Sequence, residues 1–298
     1  MAESGTPRAT LVGAWTAARK RLEAAGVEGP VIDARLLVEA AGGASRADIV
    51  ADPHRVLTPE QAAALEAWLV RRERREPISH ILGAKGFWKI MLKVTPDVLT
   101  PRPDTETILD VVLPLFGEAQ AFSVLDLGVG SGAILLAILA ERPRARGLGV
   151  DVSEEALAVA RENAANLGLA GRCALLRGDW TAGLASGQFD LVVANPPYIA
   201  SGEIAGLAPE VRDHEPRVAL DGGQDGLVAY RVLAPEILRV LKVGGRFAVE
   251  IGHDQREAVE SLFAAAGAGD VATARDLATR DRVVSGSKKA LGQSSESR

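Results

Sequence analysis

Phe122-Ser123-Val124-Leu125-Asp126-Leu127-Gly128-Val129-Gly130-Ser131-Gly132 is an apolar run that dissolves into alternating glycines just before the helix-forming stretch Ala133 to Glu141. A β-branched apolar run, a glycine turn and a helical pattern read as strand, tight turn and helix. Such a turn lets the backbone approach a ligand closely and leaves helix N–H groups facing it. The alternation repeats downstream. Strands are expected at 147–150, 173–176, 189–194 and 246–251, separated by helical stretches, with antiparallel closing strands near 271–275 and 282–284. Strands alternating with helices predict a doubly wound α/β domain with a mostly parallel, seven-stranded sheet and right-handed crossovers.

Phe189 to Ala194 flows into Asn195-Pro196-Pro197-Tyr198. Neither proline can donate to a strand ladder, so the strand stops there and Asn195 sits at its carboxyl edge. That edge is where open α/β sheets bind ligands. The Asn195 side-chain carbonyl and the backbone carbonyls of Asn195 and Pro196, aimed by restricted dihedrals, suit the two hydrogens of a planar NH2 group. Tyr198 is expected to pack on its flat face. The blander alternative is an ordinary strand-ending loop, since Asn-Pro is a common turn starter.

Gly128-x-Gly130-x-x-Ala133 fits a nicotinamide fingerprint, which is weak evidence alone. Asp126, before Gly128, favours instead the turn in which an acidic residue and tight glycines (Gly128, Val129, Gly130, Ser131, Gly132) surround the amino-acid part of S-adenosylmethionine. Asp151, at the next strand end, can accept from both hydroxyls of a ribose; its alternative is to cap the following helix, although Ser153 already suits that role. Asp179 is placed to accept from an adenine amino group and Trp180 to cover the ring, with a structural, loop-plugging Trp as the alternative.

The 298 residues suggest two domains, and 47% hydrophobic with 24% charged residues is the balance of a water-soluble globular protein. A formal net charge of −5 argues against a chain that coats nucleic acid. Cys173 is the single cysteine, so no internal disulfide or multi-cysteine metal site is possible; the histidines lack metal-ligand spacing, and no metal is expected. Without a signal pattern or a spanning apolar stretch, the protein is expected in the cytoplasm, off the membrane.

Residues 1–77 read as a bundle of short helices, one starting at Thr58-Pro59-Glu60-Gln61 with Thr58 as cap. The run Arg71-Arg72-Glu73-Arg74-Arg75 at its end reads as a solvated last turn. Through His80 the 11 basic residues balance 11 acidic ones, whereas a dedicated DNA-reading domain should look more basic; a partner-docking domain need not. Residues 78–100 look like a β-hairpin linker, 101–286 form the α/β domain, with Asp104 capping its first helix and Gly244-Gly245 stopping a later one, and 287–298 a disordered tail.

Taken together, Pro77-Ile78-Ser79-His80-Ile81-Leu82-Gly83, Thr100-Pro101-Arg102-Pro103-Asp104-Thr105-Glu106-Thr107, the glycine turn, Asn195-Pro196-Pro197-Tyr198-Ile199, Glu215-Pro216, Leu220-Asp221-Gly222-Gly223-x-Asp225-Gly226 and Asp281-Arg282-Val283-Val284 resemble the release factor glutamine methyltransferase family, known as HemK or PrmC. The resemblance implies a Rossmann-like, S-adenosylmethionine-dependent methyltransferase that methylates the side-chain amide of the glutamine in a Gly-Gly-Gln motif of peptide chain release factors. It implies that Asn195, Pro196 and Tyr198 act in catalysis, that Pro197, Arg102 and Glu106 join them in holding substrate, and that the helical domain helps hold the release factor. A monomer with no stable nucleic-acid partner is expected. Two other classes stay open: a methyltransferase acting on an exocyclic amino group of a nucleic-acid base, and a non-catalytic cofactor-binding or scaffold protein.

Overall fold

The computed structural model describes residues 9–290. These fall into two compact units, one of residues up to Gly83 together with Ala208–His214, the other of Ala84–Leu207 and residues from Glu215 onward.

The first unit contains α1 (Leu11–Ala24), α2 (Pro30–Gly42), α3 (Arg46–Ala51), α4 (Pro59–Glu73) and α5 (Ile78–Leu82). Three of these starts are written in short polar residues: Thr10 accepts from the Gly13 N–H, while Ser45 with Asp48 and Thr58 with Gln61 form reciprocal capping boxes. Each such cap is worth about 1 kcal/mol. Leu11, Leu22, Leu37 and Leu69 meet in the core. The arginine run is not a solvated turn. Arg72, 5% exposed, pairs with Asp33 at 2.7 Å and Glu210 at 2.9 Å, and Arg75 reaches Glu210 at 2.6 Å. Helical spacing points Arg72 inward, and carboxylates from elsewhere in the chain, invisible to a local reading, neutralise it.

The second unit opens with a hairpin, β1 (Ala84–Phe87) and β2 (Ile90–Lys93), followed by α6 (Glu106–Val112), β3 (Ser123–Leu127), α7 (Ala133–Glu141), β4 (Arg146–Asp151), α8 (Glu154–Asn166), β5 (Cys173–Arg177) and β6 (Phe189–Ala194). Beyond a long loop carrying the short α9 (Pro209–Arg212) come α10 (Val228–Val240), β7 (Leu241–Glu250), α11 (Arg256–Ala265), β8 (Ala268–Arg275) and β9 (Asp281–Lys288). The sheet has seven strands in the order β5-β4-β3-β6-β7-β9-β8, parallel except where β9 joins β7 and β8. Alternation builds its two sides. Val124, Leu191, Val193 and Ala248 face α6 and α7, while Leu125, Leu127, Val192, Phe247 and Val249 face α10 and α11.

Several local expectations change. Residues 78–82 form a helix rather than strand, because Pro77 sets its start and Gly83, at φ 68°, ends it. The hairpin is therefore 84–93, with Trp88 and Lys89 at its turn. Asp104 does not cap α6: Pro103–Thr105 is a 3-10 turn, and the Asp104 carboxylate lies 3.4 Å from the Arg282 guanidinium. Gly244-Gly245 does not stop α10, which ends at Val240; the pair lies inside β7, where pairing with β6 slips. Ser287 and Lys288 belong to β9, and the expected disordered tail from 291 on lies outside the described residues. Among the described residues no helix is long and apolar enough to cross a membrane.

The loop after β6 is locked by close backbone approaches. Ile199 bridges Asp221, and Gln255 Nε2 donates to the Tyr198 carbonyl at 2.9 Å and to the Gly226 carbonyl at 3.3 Å. Gly226 has φ 73°, and a Cβ there would run into the Tyr198 carbonyl. Gly168 has φ 70° with open space around it. Gly168→Ala should thus cost about 1 kcal/mol of left-handed strain, and Gly226→Ala clearly more, with loss of activity as well. Thermal unfolding of the pair checks this; equal losses would remove the steric argument.

Candidate functional site

β3 is flanked by β4 on one side and β6 on the other, so chain direction across the sheet reverses at its carboxyl end. A cavity of about 360 Å³ opens there, the size and place expected of a small-molecule site. Gly128, Val129, Gly130 and Ser131 form its floor; Asp151, Asp179 and Trp180 one side; Arg102, Asn195 and Pro197 the other.

The glycine turn follows from its backbone. Gly128 (φ 75°) and Gly130 (φ 53°) take left-handed conformations, and the Gly128 and Val129 N–H groups donate to the Val150 carbonyl. Asp151 is held in place by the Gly130 N–H at 2.8 Å and the Ser153 N–H at 3.0 Å, each on a different carboxylate oxygen, with further lone pairs left for a ligand. Ser153 itself caps α8 by accepting from the Ala156 N–H. Trp180 also has positive φ, 49°, unusual for a bulky residue. A Cβ on Gly128 would stand 3.6 Å from its ring, so the indole lies against the glycine turn. A bare backbone floor, a fixed carboxylate and a flat aromatic wall fit a nucleoside bearing a polar tail.

The opposite wall is set by an ion pair. Arg102 reaches Glu215 at 2.6 Å, and the Glu215 side chain is 1% exposed. Burial raises the Glu215 pKa, and Arg102 and the Thr100 N–H draw it back. The pair ties the arginine-proline loop to the segment in which Pro216, Val218 and Asp221 line the cavity.

Asp126, Gly132, Pro196, Tyr198 and Glu106 do not border the cavity. Asp126 is buried within β3 and accepts from the Leu135 N–H at 3.1 Å, holding the start of α7. Glu106 accepts from the Trp88 N–H at 2.8 Å and so steadies the hairpin turn. Tyr198 turns its ring toward the Leu233 and Phe247 side of the core and donates to Glu250 Oε1 at 3.3 Å, because its backbone is pinned by Gln255. Thr105, Glu215 and Glu250 are not site residues on the sequence alone, although Thr105 and Glu215 stand in motifs that carry the family resemblance and Glu250 is a lone acid in the apolar end of β7. Among the described residues no group of acidic, His and Cys side chains is placed to hold a metal.

Asp126 Oδ1 finds no hydrogen-bond partner among the described residues, and burial pushes this carboxyl up to about 7, with the Leu135 N–H pulling down and Asp151 adding repulsion. Its folded pKa lies above the unfolded value. The folded state therefore keeps a proton that the unfolded chain releases between about pH 4 and 7, and stability falls as pH rises through that window. Asp126→Asn cannot lose that proton, so its melting temperature should drop less from pH 5 to pH 8 than the wild type's. Identical pH slopes would show that burial does not perturb Asp126.

Residues 13–83 match the family model described as PrmC N-terminal domain, and residues 119–285 match one described as Methyltransferase domain. The chain is 67% identical over 282 residues to a protein of Caulobacter vibrioides named release factor glutamine methyltransferase, covering 95% of this chain and 98% of that one. A protein of the same name from Rhodospirillum rubrum is 47% identical, covering 94% and 84%. A crystal structure of a methyltransferase from Pyrococcus furiosus superposes on 74% of this chain and 99% of its own with a TM-score of 0.53 at 18% identity, which speaks for a shared fold. With matches over nearly its whole length to proteins bearing that name, the chain belongs to the release factor glutamine methyltransferase family.

Proposed function

We propose that this protein transfers a methyl group from S-adenosylmethionine to the side-chain amide nitrogen of the glutamine in the Gly-Gly-Gln motif of peptide chain release factors. The observation that carries this reading is Asn195 on the same cavity as the glycine turn and Asp151. One end of that cavity suits a nucleoside with an amino-acid tail, and the other offers an amide that suits a planar NH2. The Gly128 to Gly132 turn takes the amino-acid part, with Asp126 beneath it; Asp151 takes the ribose, Asp179 the adenine amino group and Trp180 the ring face.

Bound S-adenosylmethionine supplies an electrophilic methyl on a positively charged sulfur. The chain's own residues must position a poor nucleophile, because an amide lone pair is delocalised into its carbonyl. Asn195 Oδ1 accepts one N–H of the glutamine amide and the Pro196 carbonyl the other, which aims the nitrogen into the cavity. Pro197 and Arg102 wall the acceptor side, and Glu106 acts through the hairpin turn it holds. Positioning of this kind supplies about 7–11 kcal/mol of the barrier. Positive charge growing on nitrogen strengthens both hydrogen bonds as the transition state is reached. Tyr198 supports the strand end from the core side. The helical unit docks the release factor, and the protein works as a cytoplasmic monomer without a stable nucleic-acid partner.

Incubating the protein with labelled S-adenosylmethionine and a bacterial release factor, then mapping the label by peptide mass spectrometry, tests substrate and reaction together. Label belongs on the Gly-Gly-Gln glutamine; label appearing instead in added RNA or DNA would transfer the assignment to a base methyltransferase. Asn195→Ala should keep cofactor affinity within a few-fold and lose at least about 100-fold in kcat. Wild-type turnover in that variant would sink the proposed role of Asn195.

A further inference from the structure

The Asn195 amide has two unlike ends, and only Oδ1 can accept an N–H from an acceptor. Nδ2 has a partner: it donates to Thr105 Oγ1 at 3.3 Å. Thr105 is 3% exposed, and both residues border the cavity. A hydroxyl can donate or accept, so Thr105 alone would tolerate either orientation of the amide. The geometry breaks the tie: it is Nδ2 that faces the hydroxyl, so Thr105 Oγ1 accepts there and Oδ1 is left for the methyl acceptor.

We infer that Thr105 is a positioning residue for methyl transfer, holding the Asn195 amide by Nδ2 so that Oδ1 is presented to the acceptor. The inference rests on the reading of Asn195 as the group that holds the target amide.

The test compares Thr105→Val, Thr105→Ser and Asn195→Ala. Thr105→Val should lower kcat by about 10- to 100-fold, with KM for the release factor and affinity for S-adenosylhomocysteine within about two-fold of wild type, and Thr105→Ser should restore most of the rate. A readout independent of turnover is available because the chain has three asparagines, Asn163, Asn166 and Asn195. In ligand-free, 15N-asparagine-labelled protein, the Asn195 side-chain NH2 should exchange with water faster in Thr105→Val than in wild type. Unchanged kcat and unchanged exchange in folded Thr105→Val, or a lost rate that Thr105→Ser does not restore, would overturn the role of Thr105. Asn195→Ala separates the two levels: inactive Asn195→Ala beside fully active Thr105→Val removes only Thr105, whereas active Asn195→Ala removes the reading beneath it.

Discussion

A parallel sheet covered by helices on both faces can bury apolar side chains on either side, but it leaves few places for polar chemistry except beyond the strand ends. In this protein Val124, Leu191 and Val193 pack to one side and Leu125, Leu127 and Val192 to the other. The polar residues that could serve a ligand therefore collect where β3, β4 and β6 stop. Because β3 has β4 on one flank and β6 on the other, the loops leaving those strands part there, and the cavity lies between them. The glycine turn and Asn195 share one site because of this topology, although they are far apart in the chain.

Four carboxylates break the apolar rule: Asp126 and Glu250 are each 1% exposed, and Glu215 and Asp276, the latter paired with Arg282, are each 7% exposed. An uncompensated buried carboxylate costs several kcal/mol, so each invites a structural reason. Glu215 has a full partner in Arg102 and joins two walls of the cavity. Asp126 has a single amide from α7 and fixes where that helix begins under the glycine turn. Glu250 stands behind Tyr198, near Thr105, with one oxygen unpaired among the described residues. Asp126 and Glu215 thus each hold a segment that borders the cavity, where rigidity of the walls matters most to positioning chemistry.

Much of this was legible in the chain. The bounds of α7 and β6 follow directly from an apolar run ended by glycine or proline, and the capping box at Thr58 is a purely local signal. Asp151, Asp179, Trp180 and Asn195 were marked by their places at strand ends, and all border the cavity. Less legible were elements whose local pattern is ambiguous. Residues 78–82 are too few for periodicity to separate helix from strand, and Gly244-Gly245 imitates a helix stop while serving a bulged strand. Tyr198 was read as facing a ligand because it follows Asn195, yet its backbone is held by Gln255, 57 residues later, which turns its ring to the core.

Hydrophobic period, caps and breakers act over a few residues, and they suffice for most of the strands and helices, for the glycine turn and for the edge at which Asn195 stands. Which side chains meet behind that edge is settled by packing. Thr105 and Asn195 are 90 residues apart, and Arg102 and Glu215 are 113 apart. No local pattern records such a meeting; it arises because sheet topology brings separate loops to one place, and because a buried polar group must find a partner there.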